Sequence, residues 1–190
     1  PVFLRDGHGK EVPGAGFFLN TPTVNVDLSP KGLLVSFNPS KIIHPYHLLT
    51  DPREVGRIGD DVQRTLKANG VLVDVNAMQT IRVDLAKQCQ LKHAPHNYIP
   101  ALAHLRGKRM TGHQYPDGYS WRNTQREGVF YNKARELYDK QRMTIPESNL
   151  GRMEAKWRGG RPLAKDFQFS AFGDLRKADP EHLTTVYRDA

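Results

Sequence analysis

Hydrophobic and polar residues alternate with a period of two along several stretches of the chain, which is the pattern of strands with one buried face. The segment 23–37, TVNVDLSPKGLLVSF, alternates on both sides of an SPKG turn and predicts a hairpin. The segments MQTIRVDLAKQ (78–88) and LGRMEAKW (150–157) alternate in the same way, and HQYPDGYSW (113–121) contains a Pro-Asp-Gly turn signal followed by a second apolar strand, GVFY (128–131). These segments predict a mainly antiparallel sheet.

Helical patterns lie between the predicted strands. An apolar stripe at spacings of three and four residues predicts a helix capped by Asp51, with Pro52 in its first turn and Gly70 at its end. Further helices are predicted for 95–106 and 134–142. Residues 1–22 are interpreted as a loop or a loosely paired arm, and the chain after Gly160 as turns with a short terminal helix.

The order of these elements favours one α+β domain over residues 1–190, with helices packed on one face of a mainly antiparallel sheet. No repeat, low-complexity tract or linker divides the chain. Because the helices would cover the apolar face, the other face of the sheet stays polar and is available for a site.

Composition narrows the class of partner. The 28 Lys and Arg residues exceed the 20 Asp and Glu residues, and the net charge of +8 is spread over several segments. This distribution indicates a basic surface for a polyanion, with nucleic acid as the first candidate, although a soluble protein that is merely basic fits it too. No apolar run has the length of a membrane span. The single cysteine, Cys89, excludes an internal disulfide and fits a reducing cytoplasm.

Two acidic residues stand in the middle of predicted strands. Asp84 and Glu154 fall on the polar side, each with Arg or Lys two residues away on the same side. One interpretation is a solvated face with cross-strand ion pairs. The other is a pair of oxygen ligands on neighbouring strands for Mg²⁺ or Mn²⁺. The histidine pairs of the chain lack the companion residues of a zinc site.

Tyr131 and Lys133 stand where a predicted strand becomes a helix. On a strand, residues two apart point the same way, so the phenol and the ammonium would lie on the same side of the strand. A nearby cation stabilises a phenolate and also the charge of a phosphate under attack. The alternative is a structural tyrosine packed on its ring beside an extended lysine.

Four short motifs occur in the order found in one family. FYNKAREL (130–137) resembles the Tyr-x-Lys-x-x-Glu-Leu stretch of the filamentous-phage replication initiators, the gene II protein family, and is similar to the Tyr-Asn-Lys motif of staphylococcal-type rolling-circle plasmid initiators. VSFNPSKIIHPYHLLTD (35–51), IRVDLA (81–86) and LGRMEAKWRGGRPLAKDF (150–167) resemble three further family segments. The resemblance covers roughly residues 33–167 and leaves out the long C-terminal half of the phage protein.

The resemblance implies an HUH-endonuclease-like fold and a metal-dependent DNA nickase and strand transferase that starts rolling-circle replication. By its motifs, Tyr131 is the nucleophile that forms a covalent 5′-phosphotyrosine, Lys133 belongs to the same catalytic motif, and Asp84 and Glu154 hold Mg²⁺ or Mn²⁺. Glu136, Arg82 and Arg152 are expected to surround these residues. Related initiators carry a His-hydrophobic-His triplet for the metal, whereas this chain has HPYH (44–47) and HAPH (93–96).

The resemblance also implies partners and a place of action. The partners are the DNA of a replication origin, single-stranded or locally unwound, and a host helicase. The place of action is the cytoplasm of a bacterial host cell, with no membrane. Residues 1–190 would form the nicking domain of a longer initiator. Basic residues near the predicted hairpin would bind the DNA, and aromatic residues there, with Tyr115 beside them, would stack on unpaired bases. The alternative, above all for Trp121, is that these alternating hairpin residues face the core. The predicted DNA-binding residues are Arg106, Lys108, Arg109, Tyr119, Trp121, Arg122 and Arg126.

Two other functions fit the same residues. The chain could be a non-catalytic DNA-binding domain, or a metal-dependent nuclease that uses water while Tyr131 is structural. In the nicking hypothesis, Asp84, Tyr131 and Glu154 meet on the polar face of one sheet within about 10 Å, the reach of one metal ion and one phosphate.

Overall fold

The structure is a computed structural model that describes residues 17–29, 32–43, 51–105, 109–145 and 149–188. The chain divides into two compact units, one formed by Pro1–Thr50 with Glu54–Val73 and the other by Asp51–Arg53 with Asp74–Ala190. Each unit is described by itself. The α+β class with antiparallel pairing is confirmed, but the strands fall into two sheets and not into the one sheet that the sequence predicts.

The first unit contains a three-stranded antiparallel sheet in the order β1-β2-β3. Its strands are β1 (Phe17–Asn20), β2 (Val24–Ser29) and β3 (Gly32–Phe37). The pairing of β2 with β3 confirms the predicted hairpin, while β1 lies in a stretch interpreted as a loop or a loosely paired arm. Val24 and Val26 are fully buried, as the alternation requires.

In its described residues, the first unit also contains the helices α1 (Pro39–Ile43) and α2 (Val55–Ala68). The predicted apolar stripe of α2 is confirmed, because Ile58, Val62 and Leu66 are buried. Asp51 caps the helical run that leads into α2. Its side chain accepts the backbone N–H of Arg53 at 2.8 Å at the start of a 3-10 turn (Pro52–Glu54), and the regular α-helix begins after that turn, at Val55.

The second unit contains a five-stranded antiparallel sheet in the order β4-β8-β7-β6-β5. The hairpin of β5 and β6 turns at Pro116 and Asp117, and all the strands predicted in this part of the chain are confirmed. Strand bounds are as follows: β4 (Arg82–Gln90), β5 (Thr111–Tyr115), β6 (Gly118–Arg122), β7 (Arg126–Asn132) and β8 (Leu150–Arg158).

Five α-helices of the second unit lie within the described residues. The helix predicted for 95–106 is a 3-10 turn (Pro95–Tyr98) that continues as α3, because prolines at 95 and 100 allow only a short regular stretch. The sequence does not predict α5 or α6, and α7 is the expected terminal helix. Helix bounds are as follows: α3 (Ile99–His104), α4 (Lys133–Gln141), α5 (Gly160–Phe167), α6 (Phe172–Leu175) and α7 (Pro180–Arg188).

One face of the five-stranded sheet is apolar and covered by helices. Trp157 on β8 packs with Leu163 and Phe167 of α5, and Phe130 on β7 packs with Ile99. The other face carries charged residues, and α4 borders it. The prediction that the helices pack on one face therefore holds for α3, α5 and α7 but not for α4. Within the described ranges, no helix is both long and apolar enough to cross a membrane.

Candidate active site

The strand register places Tyr131 and Glu154 on the polar face. Tyr131 on β7 lies opposite Arg152 on β8, and Glu154 lies opposite Val129. Because residues paired across antiparallel strands share a face, and residues two apart on one strand share it too, Tyr131 and Glu154 are diagonal neighbours on that face. The prediction that both lie on the polar side of one sheet is confirmed.

The phenol of Tyr131 donates a hydrogen bond of 2.7 Å to Oε1 of Glu154. The same carboxylate is paired with two cations of its own strand, since Arg152 Nε lies 2.9 Å from Oε1 and Lys156 Nζ lies 3.5 Å from Oε2. The three β8 side chains are largely buried, so their charges interact more strongly than surface charges would. The phenol is thereby held beside a carboxylate and two cations.

Burial raises the pKa of the Tyr131 phenol well above its ordinary value. The positive charge of Arg152 acts in the opposite direction, while the charge of Glu154 and the hydrogen bond to it raise the pKa further. The phenol is therefore protonated at neutral pH. It can act as a nucleophile only if its proton leaves as the new bond forms, and Glu154 stands at hydrogen-bond distance to take it.

Lys133 differs from the sequence prediction, which places it on the strand beside Tyr131. The strand ends at Asn132, whose side chain caps α4, and Lys133 is the first residue of that helix. Its side chain is 2% exposed, its ammonium is bonded to Glu136, and it lies 6.0 Å from the ring centroid of Tyr131. The ammonium of Lys133 is thus buried next to the ring of Tyr131 and is not exposed to a phosphate in solvent.

Lys133 and Glu136 form a partly buried ion pair that fixes the start of α4. Burial lowers the pKa of Lys133, and Glu136 opposes that effect. Burial alone would raise the pKa of Glu136, but hydrogen bonds from Lys133 and Lys140 outweigh it and the net pKa is lowered. Glu136 therefore stays ionised and bridges the buried Lys133 and the exposed Lys140.

An open pocket of about 490 Å³ lies over Tyr131 and Glu154. It is bounded by the β5–β6 turn on one side and by α4 on the other. Cationic and acidic side chains are mixed along its wall. The charged lining residues are Arg135, Lys140, Lys156, Asp117, Glu136, Asp139 and Glu154.

Asp84 lies on the same face but away from the tyrosine. It is opposite Lys156 on β8, which makes it a diagonal neighbour of Glu154, but it is two strands and four residues from Tyr131, about 17 Å along the sheet. Its carboxylate accepts two hydrogen bonds from Arg82, at 2.8 and 2.6 Å. The register therefore brings Glu154 to Tyr131 and leaves Asp84 outside the expected 10 Å.

The predicted metal ligands are engaged by the chain's own cations. Arg82 holds both oxygens of Asp84, and Glu154 is shared by Tyr131, Arg152 and Lys156. Across the ranges that the structure describes, no group of three or more His, Cys, Asp or Glu residues is arranged to hold a metal ion. This donor set does not fit a metal in the present arrangement, so the metal role of Asp84 and Glu154 stays a prediction.

Two of the predicted DNA-binding residues lie in the core. Tyr119 and Trp121 are 9% and 8% exposed and pack with Ile99 and Phe130 on the helix-covered face. The indole N–H of Trp121 donates to the backbone carbonyl of Leu105. Their predicted role in stacking on unpaired bases is wrong in this arrangement, because their rings face the helices.

The predicted basic residues are divided between the two faces. Arg126 belongs to the helix-covered side of the sheet, where it bonds to Asp166, and its predicted contact with DNA stays a prediction. Arg122 is exposed on the polar face, and Arg109 is exposed just before β5. Arg106 and Lys108 lie outside the described residues, as does the HPYH segment.

Several residues of the site are missing from the sequence prediction. Lys156 stands two residues after Glu154 on the same strand, so the period-two rule that selects Glu154 also selects Lys156. Arg135 and Lys140 line the pocket because α4 begins immediately after Tyr131's strand. Tyr115, named beside Tyr119 and Trp121, is the aromatic residue of that hairpin that lines the pocket.

No protein-family model, curated protein or solved structure matches this chain. The resemblance to the phage and plasmid initiators rests on its motifs.

Proposed function

We propose that this chain is a replication-initiator-type DNA nickase and strand transferase, in which Tyr131 attacks a phosphodiester of one DNA strand. The observation that carries the proposal is the hydrogen bond from the Tyr131 phenol to Glu154 within an open pocket that both cationic and acidic side chains line. A structural tyrosine needs a hydrogen-bond partner too, but here the partner is a carboxylate held on a rigid strand, and the pair faces solvent-accessible space.

The chemistry balances with water as a proton carrier. As the phenol oxygen forms a bond to phosphorus, its proton passes to Oε1 of Glu154, the bond from phosphorus to the 3′-oxygen breaks, and that oxygen takes a proton from water to leave as a 3′-hydroxyl. The hydroxide that remains takes the proton from Glu154, which returns to its carboxylate form. The 5′ end stays attached as a phosphotyrosine. One phosphodiester replaces another, so the reverse step can rejoin the strand.

The cations beside Tyr131 stabilise the phosphate as charge builds on its oxygens. Lys156 lines the pocket, and Arg152 lies directly across the strand pair from Tyr131. Preorganised cations in a partly buried site stabilise a developing charge more than they would in water. Lys133 acts as a positioning residue, since its buried pair with Glu136 fixes the junction at which β7 ends.

A divalent cation, Mg²⁺ or Mn²⁺, is part of the proposal as the sequence predicts it, and no step above depends on it. The other proposals carried from the sequence are the origin as substrate, a helicase as partner, the bacterial cytoplasm as location, and an HUH-like arrangement of the fold.

The test is a covalent-capture assay. Single-stranded DNA of random sequence carries a fluorophore at its 3′ end, because a 5′-phosphotyrosine leaves the protein on the 3′ fragment. The protein is incubated with Mg²⁺, with Mn²⁺ or with a chelator, and the products are separated under denaturing conditions. Fluorescence that migrates with the protein supports the proposal. Free fluorescent fragments would favour the hydrolytic nuclease, and uncut DNA that is nonetheless bound would favour the non-catalytic DNA-binding domain.

A further inference from the structure

Tyr115 occupies a distinct position on the wall of the pocket. It lies on the edge strand β5, is 40% exposed, and lines the same pocket as Tyr131. The other aromatic residues of its hairpin, Tyr119 and Trp121, are in the core. Of the aromatic residues that line this pocket, Tyr115 is thus the one that is not needed for the proposed chemistry.

Two contacts fix the ring of Tyr115. Its hydroxyl lies 3.1 Å from Oγ of Ser120, which is fully buried, and its ring meets that of His113 edge to face with centroids 4.6 Å apart. Ser120 is on the neighbouring strand and His113 is two residues away on the same face. A ring held at both its hydroxyl and its edge is preorganised, so a ligand that stacks on it loses little conformational entropy of the protein.

The position between the two tyrosines has no room for a side chain and is occupied by a glycine. Gly118 lies opposite Tyr115 on one side and opposite Tyr131 on the other, so the three residues form one row across the sheet. A Cβ at Gly118 would meet the carbonyl oxygen of Phe130 at 2.5 Å and Cβ of Tyr131 at 3.1 Å. The backbones of β5 and β7 are two strand spacings apart, about 9.6 Å, which exceeds the thickness of a stacked base, about 3.4 Å.

We propose that Tyr115 is a stacking platform for a nucleobase of the single strand, next to the phosphate that Tyr131 attacks. This inference rests on the proposed function for the choice of ligand. An aromatic ring stacks on any base, while nearby cations hold the backbone, which is the way single strands are bound without sequence preference. Arg135, Lys140 and Lys156 line the same pocket, among four carboxylates, and are the cations available to the phosphates of a bound strand.

The subsite can be tested by binding alone, without cleavage. The probes are two fluorescein-labelled 12-mers of equal charge, oligo(dT) and an abasic deoxyribose-phosphate chain, at low salt with a chelator present. The variants are Tyr115→Ala, which removes the ring, and Tyr115→Phe, which keeps it. Tyr138→Ala is the matched control, because Tyr138 is an exposed tyrosine of the same unit that does not line the pocket. Thermal unfolding of each variant checks the fold.

We expect Tyr115→Ala to weaken oligo(dT) binding by about 5- to 150-fold, the equivalent of about 1–3 kcal/mol for one stacked base. Tyr115→Phe keeps the ring but loses the hydroxyl contact with Ser120, so it should weaken oligo(dT) binding by less than Tyr115→Ala does. Tyr138→Ala should bind oligo(dT) as the unaltered protein does, and all four proteins should bind the abasic chain equally. A Tyr115→Ala protein that still prefers oligo(dT) to the abasic chain overturns the subsite, and so does a failure of the unaltered protein to bind oligo(dT).

The two proposals fail in different ways. If the covalent-capture assay yields no adduct while Tyr115→Ala selectively loses oligo(dT) binding, the stacking subsite stands and the nickase does not. If the adduct forms and Tyr115→Ala binds oligo(dT) normally, the nickase stands and the subsite does not.

Discussion

The phenol of Tyr131 and the carboxylate of Glu154 are joined by a hydrogen bond of 2.7 Å across the β7–β8 strand pair. The two residues are 23 positions apart in sequence, and both lie within strands and not in loops. A nucleophile and its proton acceptor on adjacent strands of one sheet keep their separation when substrate enters. The pair therefore gives the sharpest tests of the proposed function.

Replacing Tyr131 by phenylalanine removes the hydroxyl and keeps the ring. We expect covalent capture of DNA to be abolished, because Tyr131 is the phenol of the pocket whose hydroxyl is bonded to a carboxylate that can take its proton, while DNA binding stays within about threefold since it depends on the cations. Capture on a denaturing gel and binding by fluorescence polarisation measure the two effects. Tyr138→Phe is the control and should leave both unchanged. An adduct that persists in Tyr131→Phe would show that the nucleophile is another residue.

Replacing Glu154 by glutamine keeps the size of the side chain and an oxygen that accepts the Tyr131 hydrogen bond, but removes the carboxylate that takes the proton. We expect the rate of adduct formation to fall by about 10²- to 10⁴-fold, the usual contribution of a general base. Single-turnover kinetics with saturating protein measure this rate directly. The control is Glu127→Gln, since Glu127 lies on the same face and pairs with Arg158 outside the pocket.

A metal titration separates two roles of Glu154. If Glu154 accepts the proton, the concentration of Mn²⁺ at half-maximal rate should be the same in Glu154→Gln as in the unaltered protein, and excess Mn²⁺ should not restore the rate. A rate that recovers as Mn²⁺ is raised would instead support the metal-ligand role that the sequence predicts.

The sequence predicts on which face of the sheet each site residue lies, but it does not predict which residues of other strands lie beside it. On β8, charged Arg152, Glu154 and Lys156 alternate with Met153, Ala155 and Trp157, so the side of the sheet on which Glu154 lies follows from a local pattern. Which strand residue stands beside Tyr131 depends on the register between strands distant in sequence. No local pattern fixes that register, and this is why Asp84 was expected beside Tyr131 and Glu154.

Errors at other residues have equally specific causes. The sequence predicts that Lys133 lies on the strand, but the strand ends one residue before it, and the side chain of Lys133 is buried at the start of α4. The alternation of Tyr119, Ser120, Trp121 and Arg122 contained the signal that the aromatic rings share a face with the core. The sequence does not predict helix α5, because so short a helix is stabilised mainly by tertiary packing. Leu163 and Phe167 of α5 pack on Trp157, and no local pattern shows that contact.

The affinity for single-stranded DNA should fall steeply with salt, because Lys and Arg contacts to phosphates release counterions. Each phosphate contact contributes about 0.7 to the slope of log K against log salt for single strands. We expect Arg135→Gln and Lys140→Gln each to reduce the slope by about that amount, since both side chains are exposed and line the pocket. Polarisation titrations from about 50 to 200 mM salt measure it.

The matched control for the salt slope is Lys165→Gln. Lys165 is exposed on α5, the helix that packs on the opposite face of the sheet, so the substitution removes the same charge without touching the pocket. Equal slopes for Lys165→Gln and Lys140→Gln would mean that the net charge of +8, and not this pocket, attracts the DNA.

The Lys133–Glu136 pair should matter for the stability of the second unit. Glu136→Gln leaves the buried ammonium without its carboxylate, and we expect a loss near the lower end of about 3–5 kcal/mol, because Glu136 is partly exposed. Lys133→Met in the same background should recover most of the loss, since an apolar side chain replaces the unpaired charge. Urea unfolding followed by the fluorescence of Trp121 and Trp157 reports on this unit, whose core contains both. Equal stability of the single and double variants would contradict the pairing.

The same pair should make stability depend on pH in the acid range. The hydrogen bonds from Lys133 and Lys140 lower the net pKa of Glu136 in the folded state against the effect of burial, whereas in the unfolded chain Glu titrates near about 4.3. The unfolded state therefore binds a proton first as pH falls. The contribution of Glu136 is fully present above that unfolded value and is lost as pH falls through the lower folded value.

We expect the difference in unfolding free energy between the unaltered protein and Glu136→Gln to be constant above about pH 5.5 and to shrink below about pH 4.5. Urea unfolding at a series of pH values measures it. Glu181→Gln, which removes an exposed carboxylate of α7, should show no such change. A difference that stays constant down to pH 3 would contradict a lowered pKa of Glu136.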